Sequence, residues 1–550
     1  MRRLGVLECD HEQTAPGKKA EGDDLMSEIV LQPELSKDNA ENFIGSPRET
    51  LLSTDNLENI SVNGLSDSEL SVVRELFKVW REHFAGNRRR SALYDAHNTF
   101  KDFGISIPPK ILSKVDNVLD WPRMVVRALA DMNVFNGFSS PTSDGVPFGL
   151  DEIVYDNDLD VELPQAIVSA YKHSCAFLTV AGGDTAAGDP RVVVAARAAD
   201  WSAALWDNRR RRVSSAIAIT DAAKGIPIAF TVYLPDYTIS CVKSRGVWRV
   251  DRRQSNPLHS TLVEPLRYDP QLNRPFGRSR ISRPVIGLTN AGFRTFVRME
   301  ATAEFYTAPQ LWFLGLDEDA FGDSNKWSAM YGHANSISRD ENGDVPSMHQ
   351  IQQATMQPHL DSLSMITRMV AASSNLPASA FGIVSDNPES AEAMDTAYRR
   401  LIREAEAQNR LFSRALVHVG QKAVLLRDNE TVVSDELRSL VASFERISLQ
   451  SPAAAADAFS KYAGVIDGFA TSDTGLRFAG FDSNQIASLK QNASKAQASS
   501  ALDRLLGASG DNSTGREPTV GGAEAGGQAG AARNAVTVAN NTGDGSSMAA

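Results

Sequence analysis

The sequence predicts an α+β fold with more than one packing unit. Helical periodicity governs residues 66–173, and a run of short period-two segments occupies 174–253. Long amphipathic helices then return. A chain of 550 residues exceeds what one hydrophobic core organises, and 42% hydrophobic with 23% charged residues is ordinary for a globular protein.

Residues 1–64 mix charge, Ser, Asn and Gly without periodicity and are expected to be disordered. Order begins at GLSDSELSVVRELFKVWREHF. There Ser66 is an N-cap, Glu69 completes a capping box, and Leu70, Val73, Leu76, Phe77 and Trp80 recur at helical spacing. LYDAHNTFKDFGISIPPKI leaves the helix at its double proline, and DWPRMVVRALADMNVFNGF restarts one with Pro122 in the first turn. Residues 148–173 read as helix again.

From residue 174 the period is two. SCAFLTVAGG, RVVVAARA, RVSSAIAIT, IPIAFTVYLP, YTISCVKS and GVWRVDR are β-rich runs separated by turn residues, an antiparallel subdomain ending near Arg253. Trp201 and Trp206 fall in a polar segment between the second and third runs.

RISRPVIGLTNAGFRTFVRMEATAEFY predicts a helix of about 23 residues, ~35 Å long, with Leu288, Phe296, Met299 and Ala303 on one stripe. Residues 309–350 alternate short apolar runs with polar turns, a small α/β excursion. QPHLDSLSMITRMVAASSN returns as a helix with Leu360, Leu363, Ile366 and Val370 on one face. After Leu376-Pro377 comes a loop of small and polar residues. Asn387 as N-cap and Pro388 then open a long helix carrying Met394, Tyr398, Leu401, Ala405, Phe412 and Leu416 at 3.6 spacing. SDELRSLVASFERI and SPAAAADAFSKYAGVI predict further helices. Beyond Leu506 the Gly/Ala-rich composition predicts a disordered tail.

The net charge of −12 argues against a general nucleic-acid binder, which needs a positive surface to displace phosphate counterions. It leaves open a protein that lets DNA pass without holding it. Cys9, Cys175 and Cys241 are too few and too widely spaced for a disulfide framework. No apolar run is long enough to span a membrane, and MRRLGVLECDHE lacks the apolar core of a signal peptide.

No catalytic pattern emerges. There is no GxxxxGK[ST], and AGGDTAAGDP reads as a turn between strands. DNDLDVE, residues 156–162, departs from a calcium loop at Val161, where Gly is needed, and at Ile167, where Glu is needed. His333, His349 and His359 are too spread for a helical metal pair. No GxSxG is present. Arg209–Arg210–Arg211–Arg212 between β runs reads as a solvated turn, with phosphate or an acidic neighbouring subunit as the alternative. Neither catalytic residue, metal site nor cofactor is expected. On the residues alone, the loop between the two long helices is a plain connector.

The order of these segments resembles the portal proteins of long-tailed double-stranded DNA bacteriophages. The resemblance rests on LYDAHNTFKDFGISIP with the Trp121–Val126 segment and NGF; on TVYLPDYTI and VWRV; on NPLHSTLVEPLRYDP; on FGRSRISRPVI; and on NLPASAFGIVSDNPESAEAM. These stretches are scattered over roughly residues 70–505. The resemblance implies a dodecameric ring around a channel. A wing would span 65–281, stem helix 1 282–306, a clip 307–355 and stem helix 2 356–375. A tunnel loop would follow at 376–388, then a long wing helix at 389–429 and a crown-side helical region at 430–505. The disordered segments would be 1–64 and 506–550.

By the same resemblance, Asn375, Ser379, Ser385, Asp386 and Asn387 would face DNA. Phe296, Met299, Leu360, Leu363 and Ile366 would pack the stem. The expected partners are further copies of the chain, the terminase large subunit, head-completion and adaptor proteins, major capsid and scaffolding proteins, and double-stranded DNA passing non-specifically. A structural ring without catalysis of its own is expected, at a capsid vertex and in the host cytoplasm during assembly. The alternatives are another minor virion or adaptor protein and a nucleic-acid-processing enzyme.

Overall fold

The computed structural model describes residues 57, 59–97, 119–140, 147–307, 311–314, 347–350, 355–383, 391–445, 447, 452–481 and 483–508. Strand β1 (Val62–Asn63) leads into helix α1 (Asp67–Tyr94), followed by α2 (Trp121–Ala130), β2 (Phe135–Ser139), α3 (Leu150–Asp156) and α4 (Leu159–His173). Eight strands come next: β3 (Cys175–Gly182), β4 (Val192–Ala198), β5 (Ser202–Asp207), β6 (Arg212–Ala223), β7 (Ile226–Tyr233), β8 (Tyr237–Ser244), β9 (Val247–Ser255) and β10 (Val263–Arg267). Helix α5 (Arg283–Thr307), strands β11 (Leu311–Leu314) and β12 (Ser347–Gln350), α6 (Gln357–Ser373) and the 38-residue α7 (Ala391–Asp428) follow. The chain continues through β13 (Val441–Phe444), α8 (Pro452–Val465), α9 (Asp473–Phe478) and α10 (Ser483–Ala508).

Contacts divide the chain into two units, the first ending at Ser483. The second contains most of α10, whose side chains are all exposed from residue 488 to 500. Its sequence there, LKQNASKAQASS, offers one large apolar side chain.

Within the first unit one core lies between α1 and a six-stranded sheet of order β1-β9-β8-β7-β6-β5. Every neighbouring pair is antiparallel except β1, which runs parallel to β9. The capping box starts α1 as the sequence predicts: Ser66 Oγ accepts from the Glu69 amide, and the Ser66 amide donates to Glu69 Oε2 at 2.9 Å. The α1 stripe Val73, Leu76, Phe77, Trp80 is buried on the alternating residues Ile217, Ile219, Phe230, Val232 and Ile239 of the sheet. Trp80 also donates its indole N–H to the Asp200 carbonyl at 2.8 Å, so the buried ring leaves no polar atom unpaired.

The larger core gathers α2, α4 and α7 on the three-stranded sheet β10-β3-β4. At its edge, His173 is wholly enclosed between Ser91 Oγ at 2.9 Å and Ser169 Oγ at 3.2 Å. Burial lowers its pKa from the ordinary 6.5 to about 4.

Four expectations change here. The expected disordered stretch 1–64 lies outside the described residues up to 56, yet Leu57, Ile60 and Val62 are buried in the first core. Three apolar residues and a two-residue strand were too sparse to show a period. Trp206 lies in a strand, β5, rather than in a polar connection, and Trp201 immediately precedes it; two alanines and a register shift at Leu205/Trp206 hide the alternation. Residues 441–444 are a strand instead of helix: a single turn, Asp435–Arg438, is capped by Ser434, and β13 then pairs antiparallel with β2. Tertiary pairing overrides local helix preference there. Strands β2 and β10 were absent from the sequence reading. Most of the clip segment 307–355, the region after Ala508 and His333 lie outside the described residues.

The sign of the His173 shift fixes a pH dependence. A histidine with its folded pKa lowered contributes stability that is complete above about pH 6.5 and is lost as pH falls toward about 4. Urea unfolding across that window should show a shallower loss for His173→Gln than for the native chain.

Candidate functional site: a helical pair and the root of the loop beyond it

Helix α6 packs along α5. The buried face of α5 is Val285, Thr289, Phe293, Val297 and Ala301. At Gly292 a Cβ would stand 2.5 Å from the Trp121 ring, so glycine is what lets α5 seat on α2. Of the residues expected to pack the stem, Phe296 and Met299 are half-buried, one and two positions off the buried stripe. Leu363 and Ile366 are half-buried against the larger core, and Leu360 is 47% exposed. Met365 and Met369, which the sequence reading passed over, are 59% and 45% exposed. The first unit therefore covers the pair well at its base, where Val370 and Ala371 are buried, and incompletely further out.

The base is held by one arginine. Arg280, three residues before α5, is 5% exposed. Its Nε donates to the Val125 carbonyl of α2 at 2.7 Å, and Nη2 donates to the Ser374 carbonyl just past α6 at 2.9 Å. Nη1 donates to Tyr268 Oη at 3.2 Å and pairs with Glu404 Oε1 of α7. Tyr268 in turn donates to Glu404 Oε1 at 2.6 Å. Burial, opposed by Arg280 and reinforced by the Glu404 charge, raises the Tyr268 pKa, so the phenol remains a donor. One guanidinium thus ties α2, the entry to α5, the exit of α6 and α7 together.

The loop is rooted in the same knot. Asn375 sits in the left-handed region at φ 57 and donates to Glu404 Oε2 at 3.2 Å. Leu376 is buried, its amide bonded to the Ala371 carbonyl at 3.0 Å. Residues Ala378–Phe381 form a single 3₁₀ turn closed by Gly382 at φ 80, with Ala380 and Phe381 against the larger core. Ser379 points outward and is exposed. Ser385, Asp386 and Asn387 lie outside the described residues. Of the five residues expected to face DNA, the structure brings Asn375 and Ser379 to one loop root, and Asn375 is engaged with Glu404.

Sequence reasoning missed Arg280, Tyr268 and Glu404. One signal was available: Glu404 lies beside Leu401, Ala405 and Gln408, all buried, so a carboxylate borders the apolar stripe of α7. A charge on such a border usually answers a buried partner. Arg280 had no periodic context. Of the tetrad at 209–212, the first three form a turn and Arg212 opens β6; Asp207 Oδ1 accepts from the Arg209 and Arg210 amides at 2.8 and 3.0 Å. Among the described residues no group of three potential ligands could hold a metal, and no helix is long and apolar enough to cross a membrane.

The sequence profile of the family described as "Phage portal protein, SPP1 Gp6-like" matches residues 91–475, well over half the chain. The chain belongs to this family of phage portal proteins, structural components of the virion that are not enzymes. A curated relative, the portal protein of Mycobacterium phage D29, is 27% identical over 71% of this chain and 81% of its own length. The portal protein of Mycobacterium phage L5 is 27% identical over 72% and 82%. Among solved structures, a chain of the "Virion of native gene transfer agent (GTA) particle" aligns with a TM-score of 0.38 at 14% identity, covering 72% of this chain and 98% of that one.

Truncating one partner of a buried ion pair strands the other. Glu404→Ala should therefore lower stability by about 3–5 kcal/mol, and Arg280→Met/Glu404→Leu together by less than Glu404→Ala alone. A double-mutant cycle in urea measures both.

Proposed function

We propose that copies of this chain close into a ring at one capsid vertex and form the channel through which DNA enters and leaves the head. The observation that carries the reading is the α5–α6 pair in a chain of portal family: its outer part leaves Leu360, Met365 and Met369 uncovered by the first unit. Neighbouring copies supply the missing cover, and the pair serves as the stem. Residues 65–281 then form the wing, 307–355 the clip that meets the terminase large subunit and later the head-completion proteins, and 376–388 the tunnel loop. Major capsid and scaffolding proteins surround the wing. Residues 430–505 are the crown side.

The composition of the loop fits transit better than retention. Residues 375–388 contain no Lys or Arg. Each phosphate a protein neutralises adds salt-dependent affinity, and a moving duplex needs shallow contacts. The arginines nearest beyond the loop, Arg399, Arg400 and Arg403, are exposed on α7.

Leu363→Asp or Ile366→Asp should abolish rings seen by negative-stain microscopy, by burying an unpaired charge in the stem. Shortening residues 376–388 should leave rings intact and change DNA filling of heads. Native protein that never forms rings at any concentration, or a loop deletion that alone prevents assembly, would overturn the respective assignments.

Placing cations in the loop tests the transit argument. Ser385→Lys should strengthen duplex binding by the assembled protein and steepen its dependence on log salt by about 0.9 for each phosphate newly neutralised. Fluorescence anisotropy of a labelled duplex over a salt series reads both.

A further inference from the structure

Beside α7 a cleft of about 770 Å³ opens between the helix and residues 431–441. Its cationic lining is Arg410, Arg414 and Arg438, with His418 beside them, and its apolar lining includes Val432 and Val441, which are 71% and 45% exposed. No carboxylate lines it among the described residues. Arg438 meets Asp435 at 3.3 Å and His418 meets Glu264 at 3.5 Å, both carboxylates lying outside the lining itself.

The same unit carries the opposite surface. The ends of α3 and α4 that flank their turn present Tyr155, 83% exposed, and Val161, 56% exposed. Exposed Asp151, Asp156, Asp158 and Asp160 surround them. An apolar pair ringed by carboxylates matches an apolar cleft ringed by cations in both charge and hydropathy.

Their positions suit a head-to-tail contact. In the sheet β10-β3-β4, the cleft lies toward β10, whose Glu264 receives His418 and Lys422 of α7. The acidic turn lies toward β4, the other edge, where Asn157 donates to the Val192 carbonyl at 3.0 Å and accepts from the Val194 amide at 2.8 Å. The two surfaces share no residue, and two different, complementary surfaces make a heterologous contact, the kind that closes rings.

We propose that the α3–α4 turn of one copy docks in the α7 cleft of the next, with Tyr155 and Val161 against Val432 and Val441 and the aspartates against Arg410, Arg414 and Arg438. The proposal rests on the ring reading and adds to it which faces meet.

Charge reversal tests it on the full chain. Arg410→Glu/Arg414→Glu reverses the cleft, and Asp156→Arg/Asp160→Arg reverses the turn. Every substituted side chain is exposed, so circular dichroism and melting temperature should match the native chain. Each variant alone should lose rings at least ~10-fold by mass photometry and negative stain, since like charges face each other. An equimolar mixture should restore rings, because alternating copies then pair opposite charges at every contact, and one chain carrying all four substitutions should assemble alone.

Rings from either variant alone at native yield would overturn the proposal while leaving the ring reading standing. Native protein that forms no rings in the same experiment would remove both. Should deletion of residues 1–56 abolish assembly while reversal of the turn leaves it intact, the cleft belongs to that acid-rich segment and the proposal fails.

Discussion

A guanidinium cannot be taken out of water without partners for its donors, and Arg280 is nearly wholly enclosed. The architecture around it answers that demand. Carbonyls from α2 and from the end of α6, a phenol beside β10 and a carboxylate on α7 each meet one edge of the same planar group. The rigid fork of arginine suits this role better than the point charge of lysine. Its four partners are separated by up to 155 residues from it in the chain, so the knot forms only once α2, α5, α6 and α7 have reached their places. It is a register lock for the first unit: one-turn slippage of α7 would carry Glu404 about 5 Å away.

The lock has a bearing on the loop. Asn375 shares Glu404 with Arg280, and Leu376 is buried three residues past the end of α6. The chain is therefore held through the 3₁₀ turn at Ala378–Phe381, well beyond the helix terminus.

Much of the fold was legible in the chain. The capping box at Ser66 and Glu69, the stripe from Val73 to Trp80, the six strong β runs and the three long helices rest on periodicities that tertiary structure preserved. The misses share a cause. β5, β2, β10 and β13 are short, Ala-, Pro- or Ser-containing strands whose identity comes from their partners. Leu57, Ile60 and Val62 are buried by a sheet edge that the local sequence does not announce. At the candidate site, periodicity found the helices but misjudged the face of α5 by one or two residues, since Phe293 and Val297 are buried while Phe296 and Met299 are half-buried. The polar knot was invisible because its members are single residues drawn from five distant segments. The family resemblance, by contrast, lay in the order of segments, and that order survives weak local signals.

Met365 and Met369 stand on the open side of α6. Unbranched thioethers have three soft torsions and a polarisable sulfur, so they reshape themselves to a partner at little cost. A seam lined this way tolerates a neighbour that tilts or slides by a fraction of an ångström. Branched side chains in those positions would instead have demanded one fixed mould. Wherever another surface meets α6, the joint is compliant, and α5, with its Gly292 pressed on Trp121, is the stiff rail against which it yields.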